Sequence, residues 1–176
     1  EVIFLDSSKE KEYQTKDKVY NNAADLVGSA TGVYGLSSMV FALLLTFYTL
    51  KNKINRKYIH MASLILGGLG FIYMFYATPE TLMYSFVLIG FSWGSILSMP
   101  YAMLSSSVNP NKMGMMMGLF NMFIVIPQII AALGGINYLY KLIGEAHINA
   151  MLLAGLLLII AGLCNFFITD KNAISG

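Results

Sequence analysis

Charge is what this chain has least of, and it is distributed very unevenly. Charged residues make up 11% of the 176, against about 25% in an average soluble domain. Five long runs, roughly 26–50, 59–77, 81–104, 113–135 and 150–168, contain no Asp, Glu, Lys or Arg. A soluble helical bundle needs a charged face on each helix, so its absence here excludes that class. The single cysteine, Cys164, excludes an internal disulfide framework and is expected to pack as a buried thiol. A net charge of +2 gives no electrostatic basis for binding nucleic acid. No secretory leader is evident, because the first 23 residues are polar and carry four Lys and five acidic side chains.

Hydrophobic residues make up 57% of the chain, and the runs concentrate them. Nineteen helical residues at about 1.5 Å each span a hydrocarbon core about 30 Å thick. The expected fold is therefore all-α, a polytopic transmembrane bundle of five spans. Residues 1–23 are expected as an extracytoplasmic loop, 24–170 as a C-terminal transmembrane half-bundle and 171–176 as a cytoplasmic tail. The short loop after the first run carries Lys51, Lys53, Arg56 and Lys57 without an acid. The positive-inside rule places that loop in the cytoplasm of a multi-pass cell (inner) membrane protein. Glu1 at the start and an odd number of spans suggest the C-terminal part of something longer.

The runs differ in kind. The second and fifth are greasy, with Ser63 and Asn165 almost their only strongly polar side chains. The first carries Gly28, Thr31, Gly35, Ser38 and Ala42 on one face; the fourth carries Gly114, Gly118, Asn121, Gln128, Ala132 and Gly135. The third has Ser95, Ser98, Ala102 and Ser105. Gly28/Gly32, Gly90/Gly94 and Gly114/Gly118 form GxxxG pairs. Such stripes serve close helix packing, and a hydrated pathway would produce the same pattern.

Asn121 and Gln128, seven apart, share a helix face. An amide left unpartnered in hydrocarbon costs several kcal/mol, so each is expected either in an interhelical bond or in a hydrated cavity. Pro100 and Pro127 interrupt the third and fourth spans and are expected to bend them. Trp93 and Tyr101 flank Pro100, and a mid-span indole either packs or offers a sugar ring an apolar face and an N–H. Ser98 joins them as a cavity candidate. The methionines of 113–117 hint only weakly at Cu(I), with no Cys or His nearby. His60 and His147 fall at or beyond span ends and are expected to be solvated or capping. There is no catalytic set, metal-ligand spacing or phosphate loop, so neither an enzyme nor a cofactor is expected. With no mid-span carboxylate, a proton-titrating group would be Asp25 or would lie outside this chain.

Two stretches carry a resemblance. GFSWGSILSMPYAML at 90–104 and GLFNMFIVIPQ at 118–128 resemble helices ten and eleven of sucrose-transporter-like sugar–cation symporters. These form the glycoside–pentoside–hexuronide branch of the major facilitator superfamily. The segment 52–57, NKINRK, is similar to the superfamily's cytoplasmic loop motif, with an amide in place of its acid and Asn in place of its glycine. The resemblance implies helices eight to twelve of a twelve-helix fold, with the greasy second and fifth spans at the periphery. It implies symport of a sugar with H+ by alternating access, completed by the missing N-terminal helices and embedded in a lipid bilayer. A major facilitator carrier of a non-sugar solute and a non-transporting scaffold are the alternatives.

Overall fold

The computed structural model describes residues 7–51, 55–144 and 146–169. Within them the regular structure is all helical: α1 (Ser7–Lys51), α2 (Arg56–Tyr73), α3 (Leu82–Ser107), α4 (Met113–Ile130), α5 (Ile136–Leu142) and α6 (His147–Cys164). In hydrocarbon every backbone polar group needs an internal partner, and a continuous helix supplies it. Four stretches are long and apolar enough to cross a membrane: Lys16–Tyr48, Leu82–Ser107, Pro110–Leu142 and His147–Phe167. The 18-residue α2 begins with Arg56 and Lys57, which lower its mean hydropathy, yet six of its residues are buried.

The helices pack in the order α1, α3, α2, α6, and α4 touches α3 only marginally. Close approach sets that order. A side chain at Gly67 would collide with Ser92 of α3, and one at Gly90 with Ser37 of α1. Gly68 and Gly155 face each other's carbonyl oxygens across the α2–α6 contact, and Gly162 lies against Leu64 and Met61. The greasy helices thus hold glycine contacts of their own. α2 packs between α3 and α6. The stripes on α1 and α4 behave differently: Gly28, Gly32, Gly114 and Gly118 have nothing within 4 Å of a would-be Cβ.

Two expected loops are corrected. Residues 7–23 continue α1 as helix. No glycine precedes Gly28 and no proline precedes Pro79, and Glu12 stands four residues before Lys16, a favourable helical spacing. At about 1.5 Å per residue the 45-residue α1 is roughly twice as long as the hydrocarbon core, so its polar start projects beyond it. The second lies at 136–149, between the fourth and fifth expected spans. Instead a wide π-helical turn, Ala131–Gly135, leads into α5. Gly134 sits at φ 116°, a conformation only glycine adopts at little cost. The chain turns at Gly144, φ 93°, before α6 begins. Residues 1–6 and 170–176, with the expected tail, lie outside the described residues.

Gly67→Val is expected to lower the unfolding free energy in detergent by about 1–3 kcal/mol through overpacking. Gly28→Val, in open space, should change it by less than about 1 kcal/mol. Thermal melts of the two variants check this contrast.

Candidate functional site

The candidate residues fall into three groups. The first lies where α3 meets α4. Tyr101 donates its phenolic hydrogen to Asn121 Oδ1 at 2.7 Å, and its ring meets Phe120 edge-on with centroids 5.0 Å apart. Seven residues along, at about 1.5 Å per residue, Gln128 stands roughly 10 Å further up the same helix. Gln128 is exposed, like every residue from 121 to 130. Pro127 precedes it, and α4 has no buried residue. Over 121–130 α4 is thus uncovered on all sides, with Asn121 reached by Tyr101 and Gln128 standing clear of α3.

The second group lies between α1 and α3. Trp93, 44% exposed, tilts against Tyr34 with centroids 6.3 Å apart. Both border a cavity of about 430 Å3, whose polar lining is Thr31, Tyr34, Ser92 and Trp93. Phe71, Phe86, Ile89, Ile96 and Leu158 supply much of its apolar wall. Ser92 Oγ is buried without a hydrogen-bond partner. Ser98, by contrast, spends its hydroxyl on the Gly94 carbonyl one turn back, at 2.7 Å. Pro100 lies in α3 between Trp93 and Tyr101, and its missing N–H leaves the Ile96 carbonyl without its usual helical partner.

The third group is a basic rim. Arg56, at the start of α2, donates to the Ala102 carbonyl at 3.0 Å and to the Ser106 hydroxyl at 2.9 Å, on the last turns of α3. Lys57 donates to the Ile168 carbonyl at 2.9 Å, just past the 3-10 turn Asn165–Phe167 that ends α6. Carbonyls at helix C-termini carry partial negative charge, so these cations neutralise two helix ends at once. Lys57 also lies 5.1 Å from the Tyr58 ring centroid, and Tyr58 meets Phe166 edge-on. The third basic candidate of this loop, Lys53, lies outside the described residues.

One group was misplaced on sequence grounds. His60 is 7% exposed, and its Nδ1 is 2.9 Å from Oγ of fully buried Ser95. It is neither solvated nor a cap, because its turn of α2 packs directly on α3. The signal was present: His60, Ser63, Gly67 and Gly70 recur at helical steps of three and four, and His60, Gly67 and Gly70 meet Ser95, Ser92 and Ser85 of α3. His147, in contrast, is exposed at the start of α6, edge-on to Tyr140. Cys164, expected to be buried, is exposed. Asp25 is exposed on α1.

Residues 15–174 match the family model of the Major Facilitator Superfamily. The chain belongs to that superfamily. No curated protein and no solved structure is a significant match. The apolar helices of this major facilitator chain are its membrane-crossing elements, and the class is one of multi-pass transporters of small molecules rather than enzymes. In that setting the exposed apolar surfaces of α1, α4 and α6 are lipid- or helix-facing. The polar groups clustered on α3 and α4 are those that need a wet or hydrogen-bonding neighbour.

Arg56→Gln is expected to destabilise the protein by about 1–3 kcal/mol, the range for removing a charge-assisted hydrogen bond. Lys57→Ala, at the more exposed contact, should cost under about 1 kcal/mol. Detergent melts of both variants read the difference.

Proposed function

We propose that this chain is part of a secondary active sugar transporter that moves a disaccharide or similar glycoside together with H+ by alternating access. The observation that carries the reading is the exposed amide pair Asn121 and Gln128 on an otherwise apolar α4. Amides donate and accept, which matches hydroxyl groups, and leaving them bare in hydrocarbon is costly. Tyr101, hydrogen-bonded to Asn121, orders the near end of that stripe. Trp93 offers a stacking face, and Pro100 and Pro127 let α3 and α4 bend as the halves rock. The resemblance of 90–104 and 118–128 to sugar–cation symporters speaks for the solute class. The basic rim of Arg56 and Lys57 faces the cytoplasm of the cell membrane in this reading.

A less hydroxylated solute is the second reading. It is favoured by the cavity beside Trp93, whose wall is mostly Phe, Ile, Leu and Met.

Uptake of radiolabelled disaccharide by the full-length protein in proteoliposomes tests the first reading. Gln128→Ala and Asn121→Ala are each expected to lower uptake about 10-fold or more, since about 1.4 kcal/mol corresponds to tenfold. Unchanged uptake in both variants removes these residues from the solute site. Competition by apolar solutes, with no competition by sugars, would establish the second reading instead.

A further inference from the structure

We infer that His60 is a proton-binding site, coupled through Ser95 to the Trp93 segment of α3. The imidazole is enclosed at the α2–α3 contact, where its Nδ1 meets the Ser95 hydroxyl at 2.9 Å. Ser95 is 0% exposed and His60 7%. The Nδ1–Oγ contact can be kept in both protonation states. With a neutral ring and Nδ1 bare, the Ser95 hydroxyl donates to it. When a proton from the aqueous phase binds, both ring nitrogens become donors, so Nδ1–H must donate to Ser95 Oγ. The serine hydrogen then has to turn to its own helix, where the carbonyl of Phe91 lies one turn back. Three serines among the described residues already bond that way: Ser63 to Ile59, Ser98 to Gly94 and Ser107 to Met103. Proton uptake therefore reverses one hydrogen bond between α2 and α3 and creates one inside α3, with no bond lost.

The electrostatic surroundings are sparse. Arg56, one turn earlier on α2, has its guanidinium engaged by Ala102 and Ser106. Lys57 reaches toward Ile168 instead. α3 carries no charged side chain; its titratable groups are Tyr84, exposed, and Tyr101, bonded to Asn121. On α6 the titratable groups are His147, at the far end, and exposed Cys164. The 3-10 turn Asn165–Phe167 contributes none. Among the described residues, no carboxylate on any element packed against α2 faces His60 to hold it permanently charged. A histidine so placed is not locked in its charged form by a neighbouring acid.

Ser95 lies two residues from Trp93, the only tryptophan of the chain, and five before Pro100. A switched hydrogen bond at Ser95 thus acts on the stretch of α3 between Trp93 and the bend at Pro100. Use of the bound proton to drive a solute rests on the carrier reading above; proton binding and its transmission to Trp93 do not.

The test uses the full-length protein in nanodiscs with 15N-labelled histidine. The His60 resonance is assigned by its loss in His60→Gln and by its displacement in Ser95→Ala, which keeps the test open if His60→Gln does not assemble. The expected result is a single His60 transition between roughly pH 4 and 8. Trp93 emission, isolated by difference from Trp93→Phe, should follow with the same midpoint, and in Ser95→Ala the emission change should disappear. A His60 resonance that stays fixed from about pH 4 to 9, or one that titrates while Trp93 emission is flat, overturns the inference. If both signals titrate while sugar uptake ignores a proton gradient, the carrier coupling fails and the proton site stands.

Discussion

The bundle depends on how closely α2 and α3 approach. Gly67 lies directly against Ser92, and Gly70 lies against the Ser85 carbonyl, so the two backbones meet with almost nothing between them. In lipid, apolar side chains gain little by leaving hydrocarbon for one another. Contact therefore has to come from dispersion between tightly fitted backbones and from buried hydrogen bonds. The α2–α3 contact has both, with the His60–Ser95 bond set among the small residues. From it the other helices take their places: α1 against the Gly90–Gly94 face of α3, and α6 against Gly68 of α2.

The same contact explains why the basic rim forms. α2 starts where α3 and α6 end, so packing them antiparallel brings Arg56 and Lys57 beneath two helix C-termini. The segment 51–58 carries Lys51, Lys53, Arg56 and Lys57 and no acid to pair with them. The carbonyls of Ala102 and Ile168 take over part of the role of counter-charge. A loop without a carboxylate thus still ties three helix ends together at one membrane face.

The spans were legible in the sequence because hydrocarbon imposes a length and forbids charge, two constraints that leave a one-dimensional trace. Their packing partners were only partly legible. The glycines of α1 and α4 stood out as motifs yet meet open space, whereas Gly67, Gly68, Gly155 and Gly162 make the close contacts. Small residues mark faces that permit close approach, but which face is used depends on the partner opposite. His60 was misjudged because the nearby Arg56 and Lys57 suggested a wet boundary, while its helical register with Ser63, Gly67 and Gly70 placed it inward. The helix over 7–23 was missed because polarity was taken as a sign of a loop. Polar composition excludes burial; it does not exclude helix.

On the candidate site, the sequence identified the residue types and the structure sorts them. Tyr101 and Asn121 come together, Trp93 joins Tyr34 instead, and Ser98 turns back on its own helix. What remains exposed and polar on a membrane helix is Gln128, and the carrier account depends on what it faces. The most direct measurement is the reactivity of Gln128→Cys, in a Cys164→Ala background, toward a membrane-impermeant thiol reagent in the full-length protein. The account predicts labelling that added sugar suppresses. A thiol at that position as inert as one at Leu66, an apolar position on α2, would contradict it.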